Sequence, residues 1–375
     1  MRLRDAHWSR TRVSGERSRA ATPVLAPAPK RPIEPGSPPT FSVIVAAYQA
    51  ADVIGDALAS LARQTVAPLE VIVCDDGSTD GLEAALAPFQ SEILFLQKPH
   101  GGEASAKNAA AAAARGDFLL ILDADDVYLP HRVEALTDLA RARPDLDILT
   151  SDAYLVVGER RVRRAYDRYW RFEVSDQRRV ILQRNFVFGL AAVRRDRFLA
   201  HGGFDESILW TTDWDLWLRM IFDDSCVGLV SEPLALYRLR ETSLTAHRRN
   251  LVLGKISTLE KARRNPALTP ADRIVLARSL DTYRRELAVL DLQAAVASGD
   301  AGARRRALPV LVTRGFPLRS RLQAAGAIVA PATLGRLLRR RAARSWVGAS
   351  GIRVSHKAAG RLRTRLFRST GARGD

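Results

Sequence analysis

The sequence predicts an α/β protein built on a mostly parallel sheet with helices on both faces. Three observations carry this. Short apolar runs alternate with helix-patterned segments from residue 41 to about 122. The runs are nearly continuous in Val, Ile and Leu, as strands buried on both faces are. Their carboxyl ends carry aspartates, where open α/β sheets place their ligand crevice.

The elements follow in order. Residues 41–47 read as a strand, and 52–63 as an amphipathic helix with Val53, Ile54, Ala57, Leu58 and Leu61 on one face. Residues 69–74 form a second strand that ends at Asp75-Asp76-Gly77-Ser78. Ser78 or Thr79 is expected to cap a helix over 79–87. A third strand lies at 93–96, an alanine-rich helix at 103–114 and a fourth strand at 117–122. Further strands are expected near 147–157 and 187–193, a helix from near Asp213 and an extended segment at 233–239. After about 247 the chain turns helical. Thr269-Pro270-Ala271-Asp272 supplies a threonine cap, a proline at the first helical position and an acid in the first turn. That helix is expected to run to about 298.

Composition narrows the class. The chain has 375 residues, 47% hydrophobic and 26% charged, enough for one large domain with appendages or two domains. Two cysteines exclude a disulfide framework and fit a reducing cytoplasm. There is no Cys/His cluster for zinc, no leader-like apolar segment behind the first arginines and no run of eighteen apolar residues. The net charge of +17 is uneven: 301–375 holds 18 Lys/Arg against one acid, 1–40 eight against three, and 41–300 holds 32 against 37. The basicity therefore belongs to what the ends touch and not to the middle of the chain. We divide the chain into a basic, Pro-rich disordered tail (1–40), an α/β domain (41–246), a helical C-terminal region (247–345) and a basic disordered end (346–375).

Four constellations carry chemistry. Asp117 precedes and Asp123, Asp125 and Asp126 follow the apolar run Phe118–Leu122. Three acids that close repel one another unless a cation or water relieves them. An Asp-x-Asp pair offers oxygens to Mg²⁺ or Mn²⁺, which take phosphates as further ligands; the plainer alternative is a solvated acidic turn. Asp76 after the second strand can accept from a base or ribose, or can serve a turn and cap. Lys107, one turn into the alanine-rich helix behind Gly101-Gly102, can meet a phosphate or stand in solvent. Asp213, ahead of Trp214 and Trp217, is either a helix cap or a base that takes a proton from a hydroxyl.

In order along 41–245, these segments resemble the family 2 glycosyltransferases of GT-A fold. The resemblance rests on Ser42–Tyr48, Ser60–Thr65, Glu70–Gly81, Ala106-Lys107-Asn108, Gly116–Asp126, Gly203–Glu206 leading to Asp213, and Pro233–Arg238. It implies an inverting, metal-dependent enzyme that moves one sugar from a nucleoside-diphosphate sugar, most often a UDP-sugar, to a saccharide or lipid-linked acceptor in envelope polysaccharide or glycoconjugate synthesis. It implies that Ala46, Ala47, Tyr48, Asp76, Lys107 and Asp123 hold the nucleotide-sugar. Asp125, with Asp123, would ligate Mn²⁺ or Mg²⁺, and Asp213 would be the catalytic base. The chain departs from the family at Ala46-Ala47-Tyr48-Gln49, where Pro-Thr-Tyr-Asn is usual, and at Thr212, where glutamate is usual. It lacks the Gln-x-x-Arg-Trp motif of processive synthases, hence the expectation of a single transfer. The alternative from another class is a catalytically silent scaffold that binds a nucleotide-sugar or an envelope partner. A nicotinamide oxidoreductase is set aside, because no Gly-x-Gly-x-x-Gly follows the first strand.

The basic end has its own pattern. Leu322, Ala325, Ile328, Val329, Leu334, Leu337 and Leu338 lie between arginines, with Pro331 expected to kink a helix weakened by Gly326 and Gly335. Such a segment suits attachment to an anionic membrane surface, on the inner face of the cell membrane. The alternative is a helical subdomain that packs on the rest of the protein. Scarce aromatics argue against nucleic acid.

Overall fold

The computed structural model describes residues 37–168, 170–240, 248–342, 345–347 and 353–355. The tails assigned to 1–40 and 346–375 lie almost wholly outside these. The first half alternates strand and helix: β1 (Phe41–Ala47), α1 (Ile54–Ala62), β2 (Glu70–Asp75), α2 (Leu82–Leu86), β3 (Leu94–Gln97), α3 (Glu103–Ala113) and β4 (Phe118–Ile121). Then come β5 (Val127–Tyr128), α4 (Arg132–Ala142), β6 (Leu146–Val157), β7 (Arg160–Arg164), α5 (Gln177–Ile181), β8 (Ala192–Arg194), α6 (Arg195–Ala200), α7 (Thr212–Ile221) and β9 (Cys226–Arg238).

Among the described residues, nine strands form one sheet in the order β3-β2-β1-β4-β8-β6-β9-β5, with β7 on β6. β1 to β4 are parallel, as expected. Beyond β4 the sheet is mixed: β8 runs antiparallel to β4 and β6, and β5 antiparallel to β9, while β6 and β9 are parallel. The strand expected over 187–193 shrinks to Ala192–Arg194, because the preceding segment bonds to side chains instead of a ladder. Tyr166 Oη donates to Phe186 O (2.9 Å) and accepts from Phe188 N (3.0 Å).

Period-2 patterning sorts the strands onto two cores. Val43, Val45, Val71, Val73, Phe118 and Leu120 pack with α1 and α4. Ile44, Ile72, Cys74, Leu119 and Ile121 pack with the alanines of α3 and with Trp214 and Trp217 of α7. Alanine brings α3 close to the sheet. Gly116 does the same for the backbone entering β4: a Cβ there would fall 2.7 Å from Ser42 N. The gap is instead bridged by Gly116 N donating to Ser42 Oγ (2.8 Å), which donates to the buried Glu70 (2.6 Å).

Two local expectations change. Ser78 and Thr79 do not cap α2, which starts after Gly81 at φ +84° with no side-chain cap. Ser78 N instead donates to Asp75 Oδ1 (2.8 Å), and Ser78 Oγ accepts from Gln49 N (3.0 Å). Asp213 is not the cap of α7 either, since that position belongs to Thr211.

The helical region comprises α8 (Arg248–Ala262), α9 (Pro270–Ser298), α10 (Ala303–Val312), α11 (Leu318–Val329) and α12 (Pro331–Ala342), followed by a short antiparallel pair, β10 (Ser345–Val347) and β11 (Arg353–Ser355). α9 begins at the expected cap and closes both halves of a capping box between Thr269 and Asp272. Its first half enters the sheet-side core through Leu276 and Leu280. Its second half, through Leu292, Ala295 and Val296, joins a separate core with Ala303, Ala307, Val310, Ala324 and Ala327. Pro331 does not kink one long helix: α11 ends at Val329, Ala330 is its C-cap, and Pro331 opens α12. Gly335 lets α12 lie close to α9, since a Cβ there would fall 2.6 Å from Val296 O.

Because α9 spans both cores, its cap matters beyond its own first turn. Thr269→Ala is expected to lower stability by about 1 kcal/mol, read as a lower urea midpoint with an unchanged m-value.

Candidate functional site

The carboxyl ends of β1, β2 and β4 bring the predicted residues to one edge of the sheet. At the end of β1, Ala46 and Ala47 sit in the sheet, and Tyr48 leaves it 48% exposed. The Tyr48 ring stacks on His100, with centroids 4.2 Å apart and planes at 28°. Asp76 N donates to Ala47 O (2.9 Å), so the ends of β1 and β2 are tied together.

Asp76 is 1% exposed and its carboxylate is fully engaged. Oδ1 accepts from Lys98 Nζ (2.7 Å) and Gly101 N (2.9 Å), while Oδ2 accepts from Gly102 N (2.7 Å) and lies 2.8 Å from His100 Nδ1. It organises the loop that feeds α3 and presents no free oxygen. A base or ribose would therefore meet that loop and the Tyr48–His100 platform first.

Lys107 is the central cation. It is 7% exposed, not the solvated surface lysine that its helical position also allowed. Its ammonium donates to Asp123 Oδ1 (2.7 Å) and to Glu103 of the preceding turn. Burial alone would lower its pKa, but the two carboxylates outweigh this and hold it above the usual lysine range.

The acidic turn has three different members. Asp123 is one-third exposed and bound to Lys107. Asp125 is also about one-third exposed, with Arg240 Nε 3.6 Å from its Oδ2. Burial, and then Asp123, push the Asp125 carboxyl above its usual value. Asp126 is 1% exposed and turned inward: Oδ1 accepts from Arg238 N (2.8 Å), and Oδ2 has no partner among the described residues. Burial, then Asp125 and Asp123, hold it well above the carboxylate range. Asp126 thus shapes the turn, and Asp123 and Asp125 face outward.

Asp213 sits in the first turn of α7. Its Oδ2 accepts from Asn185 Nδ2 (2.9 Å) and its Oδ1 from Trp214 N (2.7 Å). Burial pushes its pKa up to about 6; the Trp214 N–H, Lys107 and Asn185 pull it down, and Glu103 pushes it up. Asp213 therefore feels the same Lys107–Glu103 pair as Asp123 does. Gly189 lies beside it, since a Cβ there would come into ordinary contact, 3.7 Å from Asp213 Oδ2.

The Gly202–Glu206 segment is scaffolding for this edge. Asn108 donates to Phe204 O (2.8 Å) and accepts from Phe204 N (2.9 Å). Gly203 stands at φ +70°, where a Cβ would lie 2.5 Å from Asn108 Oδ1. Lys261 of α8 bridges Asp205 (2.6 Å) and Asp215 (2.9 Å), so these two acids face the helical region and not the crevice.

Sequence reasoning missed Glu103, Asn185 and Arg240. Glu103 was within reach, since it stands four residues before Lys107 on one helix. Asn185 and Arg240 lie in irregular segments whose partners are 28 and 115 residues away, and no local pattern marks them. The two acids Asp123 and Asp125 fit a hard divalent cation. They are partly exposed, crowded enough to raise the Asp125 pKa, and too few to form a closed cage, as suits an ion completed by phosphates. No group of three or more ligating side chains forms a cage by itself among the described residues.

Residues 42–201 match the family described as Glycosyl transferase family 2. An uncharacterised glycosyltransferase of Rickettsia prowazekii is 27% identical over 227 residues, 59% of this chain and 70% of that one. An uncharacterised glycosyltransferase of Rickettsia typhi is 26% identical over 187 residues, 49% of this chain and 59% of that one. Chondroitin synthase of Pasteurella multocida is 38% identical over 99 residues, 26% of this chain but only 10% of that enzyme. Two solved structures share the fold. S. aureus TarS residues 1–349 with UDP-GlcNAc has a TM-score of 0.54 at 18% identity, covering 81% of this chain and 91% of that one. The mannosyltransferase PcManGT of Pyrobaculum calidifontis with GDP-Man and Mn²⁺ has a TM-score of 0.52 at 20% identity, covering 82% and 91%.

The unfolded Asp213 carboxyl titrates near ~3.9. The folded chain binds that proton more tightly, so Asp213 costs stability as the pH rises through the window from there to about 6. Asp213→Asn is expected to raise the unfolding temperature at about pH 7.5, by up to roughly 3 kcal/mol of stability, and to leave it unchanged near about pH 3.5. Thermal unfolding at the two pH values checks this.

Proposed function

We propose, from the match of residues 42–201 and from the glycosyltransferase relatives, that the chain is a family 2 glycosyltransferase: an inverting, metal-dependent enzyme transferring one sugar from a nucleoside-diphosphate sugar to an acceptor hydroxyl. The observation that carries this is the pairing of two unlike carboxylate environments around Lys107. On one side stand the outward-facing Asp123 and Asp125, and on the other the half-buried Asp213 with its pKa pushed up to about 6.

The donor's diphosphate would lie against the acidic turn. Asp125, with Asp123, would hold Mn²⁺ or Mg²⁺, which when bound supplies Lewis-acid neutralisation of the leaving diphosphate. Lys107 holds Asp123 in place and adds a buried positive charge next to that diphosphate. The loop organised by Asp76, with Ala46, Ala47 and the Tyr48–His100 stack, would receive the nucleoside. A UDP-sugar is the donor favoured by family resemblance, and TarS, one of the fold neighbours, is bound to UDP-GlcNAc.

Asp213 would take the acceptor's proton. The acceptor oxygen attacks the anomeric carbon from the face opposite the diphosphate. The glycosidic C–O bond forms as the anomeric C–O bond to phosphate breaks, and its electron pair leaves with the diphosphate. One displacement inverts the anomeric centre. A carboxylate titrating near 6 is a better base than an ordinary aspartate yet remains largely ionised at neutral pH. The proton still moves late, once bond formation has made the hydroxyl acidic. Asn185 fixes the direction in which the Asp213 oxygens point. The acceptor would be a saccharide or lipid-linked molecule of the cell envelope, with the enzyme on the inner face of the membrane.

A thermal-shift panel of UDP, GDP, dTDP and CDP with Mn²⁺, on wild type and Asp125→Ala, tests the donor site. One nucleotide at a hundred times its Kd is expected to stabilise wild type by about 2.7 kcal/mol. The shift should vanish without metal or in the variant. No shift with any nucleotide would instead favour a silent scaffold. Asp213→Asn should keep the donor shift and lose about a hundred- to ten-thousand-fold in kcat. The wild-type rate should fall as the pH drops through about 6.

A further inference from the structure

α11 is apolar on two opposite sides. One side, Ala324 and Ala327, is fully buried in the core that it shares with α9 and α10. The other is a line of Leu318, Leu322, Ala325 and Val329, which at helical spacing fall within a sector of about 60°. Leu318 is 73% exposed, Leu322 64% and Val329 81%. Arg319 and Arg321 flank the line and are exposed. Leu308 and Val312 of α10 and Leu337 of α12 add further exposed apolar side chains to the same helical unit.

The charge around this line is one-sided. Residues 301–342 hold ten arginines and no Asp or Glu. Arg306 reaches back to Asp300 (2.5 Å). Arg304, Arg305, Arg314 and Arg319 have no carboxylate partner among the described residues. Ten arginines without acids would repel a second copy of the same face. The single aromatic of the stretch, Phe316, packs against the helical core, so nothing is offered to stack on bases. Exposed leucine and valine flanked by unpaired arginine match a surface that is anionic outside and apolar beneath.

We propose that the outer face of α11, from Leu318 to Val329, lies in the headgroup region of an anionic lipid bilayer and docks the enzyme on it. Among the described residues no helix is long and apolar enough to cross a membrane, so the contact is in-plane. The segment that does this is not the whole run from Leu322 to Leu338 marked by the sequence pattern. Ile328, Leu334 and Leu338 of that run pack against the helical core. The docking unit hangs on α9, whose Leu280 and Leu292, about 18 Å apart along the helix axis, belong to the sheet-side and helical cores respectively. The inference deepens the proposed function by naming the surface beside which transfer takes place. The binding itself requires no transferase activity.

Flotation of the full-length chain on vesicles containing phosphatidylglycerol, against pure phosphatidylcholine vesicles, tests it. Wild type should float with the anionic vesicles, less so in high salt, and remain behind with neutral ones. The triple variant Leu318→Glu, Leu322→Glu, Val329→Glu should lose at least about tenfold in vesicle affinity. Its helical circular dichroism and its nucleotide thermal shift should be unchanged, because the altered side chains already face solvent. Arg304→Gln with Arg305→Gln and Arg319→Gln should weaken binding to anionic vesicles at low salt. The proposal is overturned if wild type floats with neither vesicle or equally with both, or if the triple variant floats as wild type does. It is also overturned if wild type is a dimer that the triple variant converts to monomer, which would make the line a contact between copies. A lost nucleotide shift in wild type would strike the transferase reading and leave this result standing.

Discussion

The buried ammonium of Lys107 is the interaction on which the site depends. The end of β4 places Asp123, Asp125 and Asp126 within one turn, and α3 adds Glu103. Without a cation among them these groups would repel and protonate. Lys107 reaches both Glu103 and Asp123 from one helical turn, and so ties the start of α3 to the end of β4. A buried cation between two partly exposed acids is stable only while both remain ionised. The alanines around it are part of the same solution, since they let α3 approach the sheet closely enough for a lysine to arrive at β4.

A second buried cation links the acidic turn to the segment beside Asp213. Arg132 is fully buried under Tyr128, with its guanidinium carbon 4.5 Å from the ring centroid. It donates to Ser151 Oγ on β6 and to Leu190 O, next to Gly189. Tyr128 in turn donates to Ile121 O at the end of β4. The mixed half of the sheet is thus more than an extension of the parallel half. It carries the loop from Asn185 to Gly189 up to Asp213 and fixes it through polar contacts. Trp170 Nε1 donates to Asn185 O (2.7 Å) from the other side.

What could be read from the sequence follows from how local each signal is. The parallel strands and α3 are set by short apolar runs and alanine, and their bounds fall within a residue or two of those expected. The start of α9 is four residues long, and its threonine cap, first-position proline and first-turn acid are legible there; that Asp272 also accepts from Thr269 N is seen only in the structure. The acids of the turn were located, but not their inequality. That Asp126 points inward depends on Arg238 N, supplied by a strand 112 residues later. Asp76 was located as well, yet its occupancy by Gly101 and Gly102 depends on a loop 25 residues on. The same holds at the C-terminal end. The apolar positions of α11 and α12 were visible, but which of them face the helical core depends on α9 and α10, and composition carries no record of that.

The raised pKa of Asp213 follows from the same architecture. A carboxylate at a helix amino end is ordinarily favoured as an anion by the helix dipole and by capping N–H groups. Asp213 has one such bond, from Trp214, and one amide, Asn185, but burial outweighs both. The neighbouring Trp214 and Trp217 of the same helix are 1% and 0% exposed, in a core shared with Leu259 of α8 and Leu276 and Leu280 of α9. Trp214 meets the edge of Tyr283 of α9 at 6.0 Å, and Tyr283 Oη donates to Gln183 O (2.8 Å), two residues before Asn185. The helical region therefore reaches Asp213 along two short paths, through Trp214 next to it and through the segment that carries Asn185. The helical region thus holds both α7 and the segment that supplies Asn185, so the surroundings of Asp213 rest on it as well as on the sheet.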